Sequence, residues 1–259
     1  MTTITAAPLR EILSVRWQPN KDLIAVGVSY VLVVGTLYTA TAIVGPEAWG
    51  GFAYFLLYGL LAATLFGLGI PLYWTTVIRR RPISDLGLTT RRLGLSLVLQ
   101  VVFSALLYTV TLARVQWPPI DQVLPLVALA LAIGFFEAVF WRGWVLLRLE
   151  ESFGLIPAIL VGSVLYAFYH VGYAMPLSEI TFLFFIGVLY AVTFRLTKNI
   201  LVVWPLFQPM GQLVTLIRDG LPLPLLAALG FAEVLIVMLV LVGLAARYYR
   251  KHAGTAKAG

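Results

Sequence analysis

Eight long runs of apolar residues constrain this chain more than any other feature. About 20 consecutive apolar residues are enough to cross a bilayer as an α-helix. Only 11% of the residues are charged, whereas soluble domains carry about 25%. The sequence therefore predicts an all-α polytopic membrane protein with about eight transmembrane helices, and it excludes a soluble globular fold. The runs are Leu23–Val44, Phe52–Ile78, Leu93–Leu112, Val123–Leu147, Leu155–Val171, Ile180–Phe194, Ile200–Ile217 and Leu225–Ala246.

These runs indicate one membrane domain at residues 23–246, between a segment at 1–22 and a basic tail at 247–259. Within residues 1–22, Leu9, Ile12, Leu13 and Trp17 recur at helical spacing among charged residues. This pattern is typical of an amphipathic helix that lies in the headgroup layer. We therefore expect the first segment to include an interfacial helix.

Positive charge is distributed unequally between the two sides that eight spans would create. Fifteen of the 18 Lys and Arg residues flank the runs on one side, and only Arg114 and Arg218 flank them on the other. Cytoplasmic flanks of membrane proteins are enriched in Lys and Arg. We therefore expect both termini in the cytoplasm, and the compact loops suit a bacterial plasma membrane. The basic residues lie beside apolar spans, so we predict the lipid bilayer as a partner and no nucleic acid.

A few polar side chains lie inside the apolar runs. An ionisable group at the bilayer centre costs about 2.5–3.5 kcal/mol on insertion scales, so each one calls for a partner or a function. The helical rise places Glu137, Gln208 and Gln212 about 12–18 Å from the cytoplasmic ends of their runs, near the middle of the bilayer, and His170 nearer the opposite face. The set is Glu137, Arg142, His170, Gln208, Gln212 and Glu233, of which we expect Glu233 to be a buried structural carboxyl.

The chemistry of this set indicates hydrolysis. A carboxylate and an imidazole in a water-poor cavity can activate a water molecule, and amide groups can donate hydrogen bonds to an oxyanion. Pro205 and Pro209 flank Gln208 and predict a kink in run seven. A catalytic zinc ion usually takes three protein ligands rich in His, and the chain has no cysteine and only two histidines. We therefore predict no metal and no cofactor.

Three short segments carry the polar residues in a fixed order. They are Glu137-Ala138-Val139-Phe140-Trp141-Arg142 in run four, Tyr166-x-x-x-His170 in run five and Gln208-x-x-x-Gln212 in run seven. In order and helix placement they resemble the motifs of the CPBP family (CAAX proteases and bacteriocin-processing enzymes, also called ABI). Members of that family carry Glu-Glu-x-x-x-Arg, Phe-x-x-x-His and His-x-x-x-Asn on helices four, five and seven.

The resemblance implies a bundle like that of the CAAX prenyl endopeptidases, and a membrane-embedded or lipidated peptide as the substrate. Carried over by motif, Glu137 and His170 would activate the catalytic water. Gln208 and Gln212 would occupy the oxyanion positions, with Arg142 and Tyr166 as further oxyanion or substrate-binding residues.

Departures from the family motifs leave two interpretations open. Ala138 replaces the second glutamate, and Gln208 and Gln212 replace the histidine and asparagine of the third motif. Glutamine donates hydrogen bonds but cannot titrate. The chain is therefore either an intramembrane endopeptidase or a catalytically inactive relative. An inactive relative would serve as a binding or assembly subunit for other membrane proteins, or as a bacteriocin-immunity factor. A transporter is disfavoured because the polar residues form no track between the two faces.

Overall fold

Helices, and no strand, make up the part of the chain that the structure describes. The structure is a computed structural model and describes residues 14–44, 53, 55–173 and 175–253. Within these residues, seven helices are long and apolar enough to cross a membrane, and the eighth is shorter. The prediction of a polytopic all-α membrane protein is confirmed. The helices are α1 Lys21–Val44, α2 Phe55–Ile78, α3 Leu93–Arg114, α4 Ile120–Phe153, α5 Leu155–Tyr169, α6 Leu177–Thr197, α7 Phe207–Arg218 and α8 Leu226–Ala253.

The two ends of the membrane domain differ in part from the expectation. Residues 14–20 are not helical, and the Arg16 and Gln18 amides donate hydrogen bonds to the carbonyls at the end of α4. Trp17 therefore packs on Phe153 in non-helical backbone, and the other residues of the predicted amphipathic helix lie outside the described residues. Helix α8 continues to Ala253, so the first part of the predicted basic tail is helical.

Glu233 lies on the exposed surface of α8 rather than in the interior, so the expectation of a buried carboxyl is wrong. The buried residues of this helix are Phe231, Val234 and Met238. They follow the i, i+3, i+7 spacing of one helical face. Glu233 lies on the other side of the helix from that face and is exposed.

The seventh apolar run is interrupted, and the prediction of one kinked helix over Ile200–Ile217 is wrong. A short 3₁₀ turn spans Ile200–Val202, and α7 begins only at Phe207. Proline has no N–H donor and is tolerated in the first turn of a helix, where the N–H would lack a partner anyway. Pro205 before the helix and Pro209 in its first turn therefore mark where α7 starts.

The buried non-helical backbone before α7 is hydrogen-bonded by neighbouring elements. The Leu206 amide donates to Gln100 Oε1 of α3 at 3.1 Å, and Trp204 Nε1 donates to the Leu131 carbonyl of α4 at 2.9 Å. Irregular backbone at membrane depth is tolerated where protein surrounds it. These bonds place the start of α7 in the interior, beside α4.

One end of the bundle, the arginine-rich end, is formed by residues 16–22, 79–92, 148–153 and 195–199. Buried Asp22 accepts a hydrogen bond from Arg79 at 2.5 Å, across the start of α1 and the end of α2. Arg195 at the end of α6 pairs with Glu150 of α4 at 2.9 Å. The Asn199 amide donates to the carbonyls of Thr89 and Arg91. These contacts bring four helix ends and the α2–α3 loop together.

Gly143 lets the α2–α3 loop approach α4 closely. A Cβ atom built on Gly143 would overlap the backbone carbonyl of Leu86, which is part of the 3₁₀ turn Ile83–Leu86. A backbone atom cannot move aside as the end of a side chain can. The glycine is therefore required by packing.

We expect Gly143→Ala to destabilise the protein, because the added methyl group forces the Leu86 turn away from α4. Overpacking of this kind costs about 1–3 kcal/mol. The thermal unfolding midpoint in detergent measures the effect. Gly35→Ala in α1 is the matched control, since a Cβ there meets nothing within 4 Å. An unfolding midpoint for Gly143→Ala equal to that of Gly35→Ala would contradict this account.

Candidate active site

Glu137 lies at the point where the hydrogen bonding of α4 changes. It is the last residue of the α-helical part, and wide π-helical turns follow from Ala138 to Leu146. Such π-helical insertions occur frequently at functional sites. The Glu137 side chain is buried, with 2% of its surface exposed.

The Glu137 carboxylate is held by side chains from other helices, which are Gln208, Tyr166 and Gln212. Gln208 Nε2 donates to Glu137 Oε2 at 2.6 Å, and the Tyr166 hydroxyl donates to the same oxygen at 3.5 Å. Gln208 reaches it because α7 begins in the interior, one residue before this glutamine. The structure thus brings the first residues of the first and third predicted motifs into direct contact.

Gln212 lies one turn further along α7, beside Gly134 of α4. A Cβ on Gly134 would come within 3.3 Å of Gln212 Oε1 and closer still to Pro209. The absence of a side chain at Gly134 therefore lets α7 pack against α4 at this level. Gln212 lines the same cavity as Glu137, whereas Gln208 is fully buried behind it.

His170 directly follows the last residue of α5 and begins a 3₁₀ turn that runs to Tyr173. Its Nδ1 lies 2.9 Å from the Tyr166 carbonyl oxygen. A carbonyl oxygen only accepts hydrogen bonds, so Nδ1 carries the hydrogen and Nε2 of the neutral ring holds a lone pair. His170 and Glu137 line one cavity, although the helical rise alone places His170 nearer the opposite face.

Three tyrosines that sequence reasoning missed form a cluster around His170. The hydroxyl oxygens of Tyr169 and Tyr173 lie 2.7 Å apart, those of Tyr58 and Tyr169 lie 3.1 Å apart, and Tyr58 also bonds Tyr173. The rings of Tyr166, Tyr169 and Tyr173 all contact the imidazole. Their spacing of three and four residues, which places them on one helical face, was the signal in the sequence.

Arg142 lies against aromatic rings. Its guanidinium carbon lies 4.7 Å from the Tyr166 ring centre and 5.5 Å from that of Tyr190. Among the described residues, neither Nε nor Nη2 of Arg142 has a hydrogen-bond partner, and Arg142 forms no ion pair with Glu137. The arginine supports Tyr166, which in turn contacts Glu137, and it does not itself line the cavity.

The cavity has a volume of about 890 Å³ and mainly apolar walls. Its lining includes the polar side chains of four motif residues, which are Glu137, Tyr166, His170 and Gln212. In the described part of the chain, no group of three or more His, Cys, Asp or Glu side chains is placed to hold a metal ion. The motif residues together offer a carboxylate, an imidazole lone pair and amide donors on the wall of a mainly apolar chamber, which is a set suited to acid–base chemistry on a bound molecule.

Comparison with known proteins agrees with the motif analysis. Residues 118–206 match a family model described as type II CAAX prenyl endopeptidase Rce1-like. The match contains Glu137, Arg142 and His170 and ends two residues before Gln208, so it confirms the predicted resemblance without reaching the altered third motif. At family level it supports a CAAX-protease-like membrane endopeptidase. No curated protein and no solved structure matches the chain significantly.

Proposed function

We propose, starting from the Rce1-like segment at residues 118–206, that this membrane protein is an intramembrane endopeptidase. It hydrolyses a peptide bond in a membrane-embedded or lipidated peptide with water activated by Glu137 and His170. One observation carries the proposal: the carboxylate and the imidazole, which come from different helices, line one chamber with apolar walls. Such a chamber strengthens the electrostatic interactions of the groups inside it.

The two groups take complementary roles. A water molecule between them loses a proton to the Glu137 carboxylate as its oxygen attacks the peptide carbonyl. The Tyr166 carbonyl fixes the orientation of the His170 ring, which leaves the Nε2 lone pair free. Nε2 takes the proton from Glu137 and passes it to the nitrogen of the breaking C–N bond. The amine then leaves as a neutral group, and Glu137 returns to the carboxylate. General acid–base catalysis of this kind contributes about 10²–10⁴-fold to a rate.

The two glutamines have different roles in this proposal. Gln208 holds the Glu137 carboxylate in place, because its amide nitrogen already donates to Oε2. Gln212 also contacts Glu137, but unlike Gln208 it lines the cavity, so its amide group is the better candidate for donating to the oxyanion. Both roles need only a hydrogen-bond donor, which glutamine supplies without titrating. The altered third motif is therefore compatible with catalysis.

We expect Gln212→Leu to lower kcat by about 10²-fold with little change in KM, because loss of one oxyanion donor acts mainly on the transition state. Initial rates at several substrate concentrations separate the two constants. Gln122→Leu, at an exposed position near the start of α4, is the matched control and should keep the wild-type rate. A Gln212→Leu protein with unchanged kcat would remove this residue from the mechanism.

The departures from the family motifs favour a second function, that of a binding or assembly subunit. Ala138, Gln208 and Gln212 stand where the resemblance calls for Glu, His and Asn, which is the pattern expected of an inactive relative that binds or assembles other membrane proteins. Reconstitution of the purified protein with a farnesylated peptide and with unmodified transmembrane peptides tests both functions. Cleavage products seen by mass spectrometry support the endopeptidase. No cleavage of any peptide, together with a stoichiometric partner after gentle solubilisation, supports the binding subunit.

A further inference from the structure

As lined by the described residues, the chamber that contains Glu137 extends toward one end of the bundle. Its innermost lining residues on α4, α6 and α7 are Glu137, Tyr190 and Gly211. From there the lining continues toward the end where α5 and α7 finish and α6 begins. The outermost lining residues are Met175, Pro176, Glu179, Arg218, Asp219, Leu221 and Pro222. The distance from Glu137 to Leu129, also on the wall, is about 12 Å along the helix.

The opposite direction is closed by packed protein. All nine residues of the π-helical segment Ala138–Leu146, which leads from Glu137 toward the arginine-rich end, are buried. Trp141 and Trp144 are among the largest fully buried side chains. Arg148 behind them is 2% exposed and bonds the Asp85 carbonyl. Among the described residues that line the chamber, none belongs to the arginine-rich end.

The chamber is also open at its side, between α3 and α6. Leu107 of α3 and Phe182 of α6 line the chamber, yet 46% and 63% of their surfaces are exposed. In a bilayer these positions face lipid, so an apolar chain can enter from the membrane without first crossing water. Ile186 and Leu183 continue the apolar wall inward from Phe182.

We infer that the substrate reaches Glu137 and His170 from the non-cytoplasmic half of the membrane, as an apolar peptide segment that enters between α3 and α6. The side follows from the charge distribution: the closed end carries the excess of Lys and Arg that marks the cytoplasmic face, whereas Arg218 lies at the open end. This inference rests on the proposed function only in taking the chamber as the substrate site.

The chain contains no cysteine, so a single introduced thiol reports access without background. Thr215→Cys places a thiol on the chamber wall, where Thr215 is exposed. Ser84→Cys, in the α2–α3 loop, is the matched control at the arginine-rich end. Each variant is treated with a membrane-impermeant maleimide in right-side-out vesicles and in inverted vesicles. We expect Thr215→Cys to be labelled in right-side-out vesicles but not in inverted vesicles. We expect Ser84→Cys to be labelled in inverted vesicles but not in right-side-out vesicles.

Every other pattern overturns the inference. If both thiols react only in inverted vesicles, the chamber opens to the cytoplasm. If Thr215→Cys reacts only in inverted vesicles and Ser84→Cys only in right-side-out vesicles, the protein has the opposite orientation in the membrane. If Thr215→Cys is labelled in neither kind of vesicle, the chamber is closed. Labelling needs no catalysis. If the labelling pattern is as expected but the protein cleaves no peptide, only the proposed function is contradicted. If the protein cleaves peptides but shows another labelling pattern, only the inferred side of substrate entry is contradicted.

Discussion

The Glu137→Gln protein is expected to lose peptide cleavage by about 10⁴-fold, the upper end of what one acid–base group contributes. Glutamine has nearly the same shape as glutamate, so the contacts with α5 and α7 keep their geometry. It cannot accept a proton from water, but its amide oxygen can still accept the hydrogen bond from Gln208 Nε2. The measurement is the initial rate of product formation by reconstituted protein, with the unfolding midpoint as a check on folding.

Glu233→Gln is the matched control for this experiment. It makes the same chemical change within an apolar span, but Glu233 lies on the exposed surface of α8 and is not part of the chamber wall. We expect this variant to cleave at the wild-type rate. Equal rates for Glu137→Gln and the wild type would exclude Glu137 as the residue that activates water.

The His170→Asn protein is expected to be about 10³-fold slower than the wild type, because it loses the Nε2 lone pair that takes part in proton transfer. The asparagine amide nitrogen occupies nearly the place of Nδ1 and can still donate to the Tyr166 carbonyl. The substitution therefore separates proton transfer from the bond that orients the ring. The readout is kcat on the same peptide, with KM expected to change little.

His252→Asn supplies a close control for His170→Asn. His252 Nδ1 also lies 2.9 Å from the carbonyl oxygen four residues earlier, that of Tyr248, but on the exposed end of α8. The same local hydrogen bond is thus altered far from the chamber, and we expect full activity. If both asparagine variants lose activity equally, the effect belongs to the helix ends and not to the imidazole in the chamber.

Most helix positions could be predicted from apolar runs because a bilayer requires long stretches without charge. The predicted Leu155–Val171 and Leu93–Leu112 lie within two residues of the helical segments Leu155–Tyr173 and Leu93–Arg114. Ile200–Ile217 is the exception, because its hydropathy is high but α7 starts only at Phe207. Hydropathy measures the preference of side chains for lipid and says nothing about whether neighbouring helices supply partners for backbone groups.

The candidate site could be predicted only in part. The motif around Glu137 and His170 identified two residues of one chamber, and the third motif identified the glutamine that holds the carboxylate. The tyrosine cluster was missed because aromatic residues in membrane proteins are commonly explained by the interface with water. Its hydroxyl contacts join Tyr58 of α2 to the end of α5, a pairing that spacing along one helix cannot indicate.

The sequence by itself determined the membrane environment, the positions of most helices, the charge asymmetry and the motif order. These follow from the free-energy cost of placing polar groups in lipid, which depends on each residue and not on how the helices pack. Only the tertiary structure decided that Gln208 contacts Glu137, that Arg142 lies against tyrosine rings, and that the chamber closes toward the arginine-rich end. Those features depend on how far helices approach one another at Gly134 and Gly143, and such distances between helices are properties of packing.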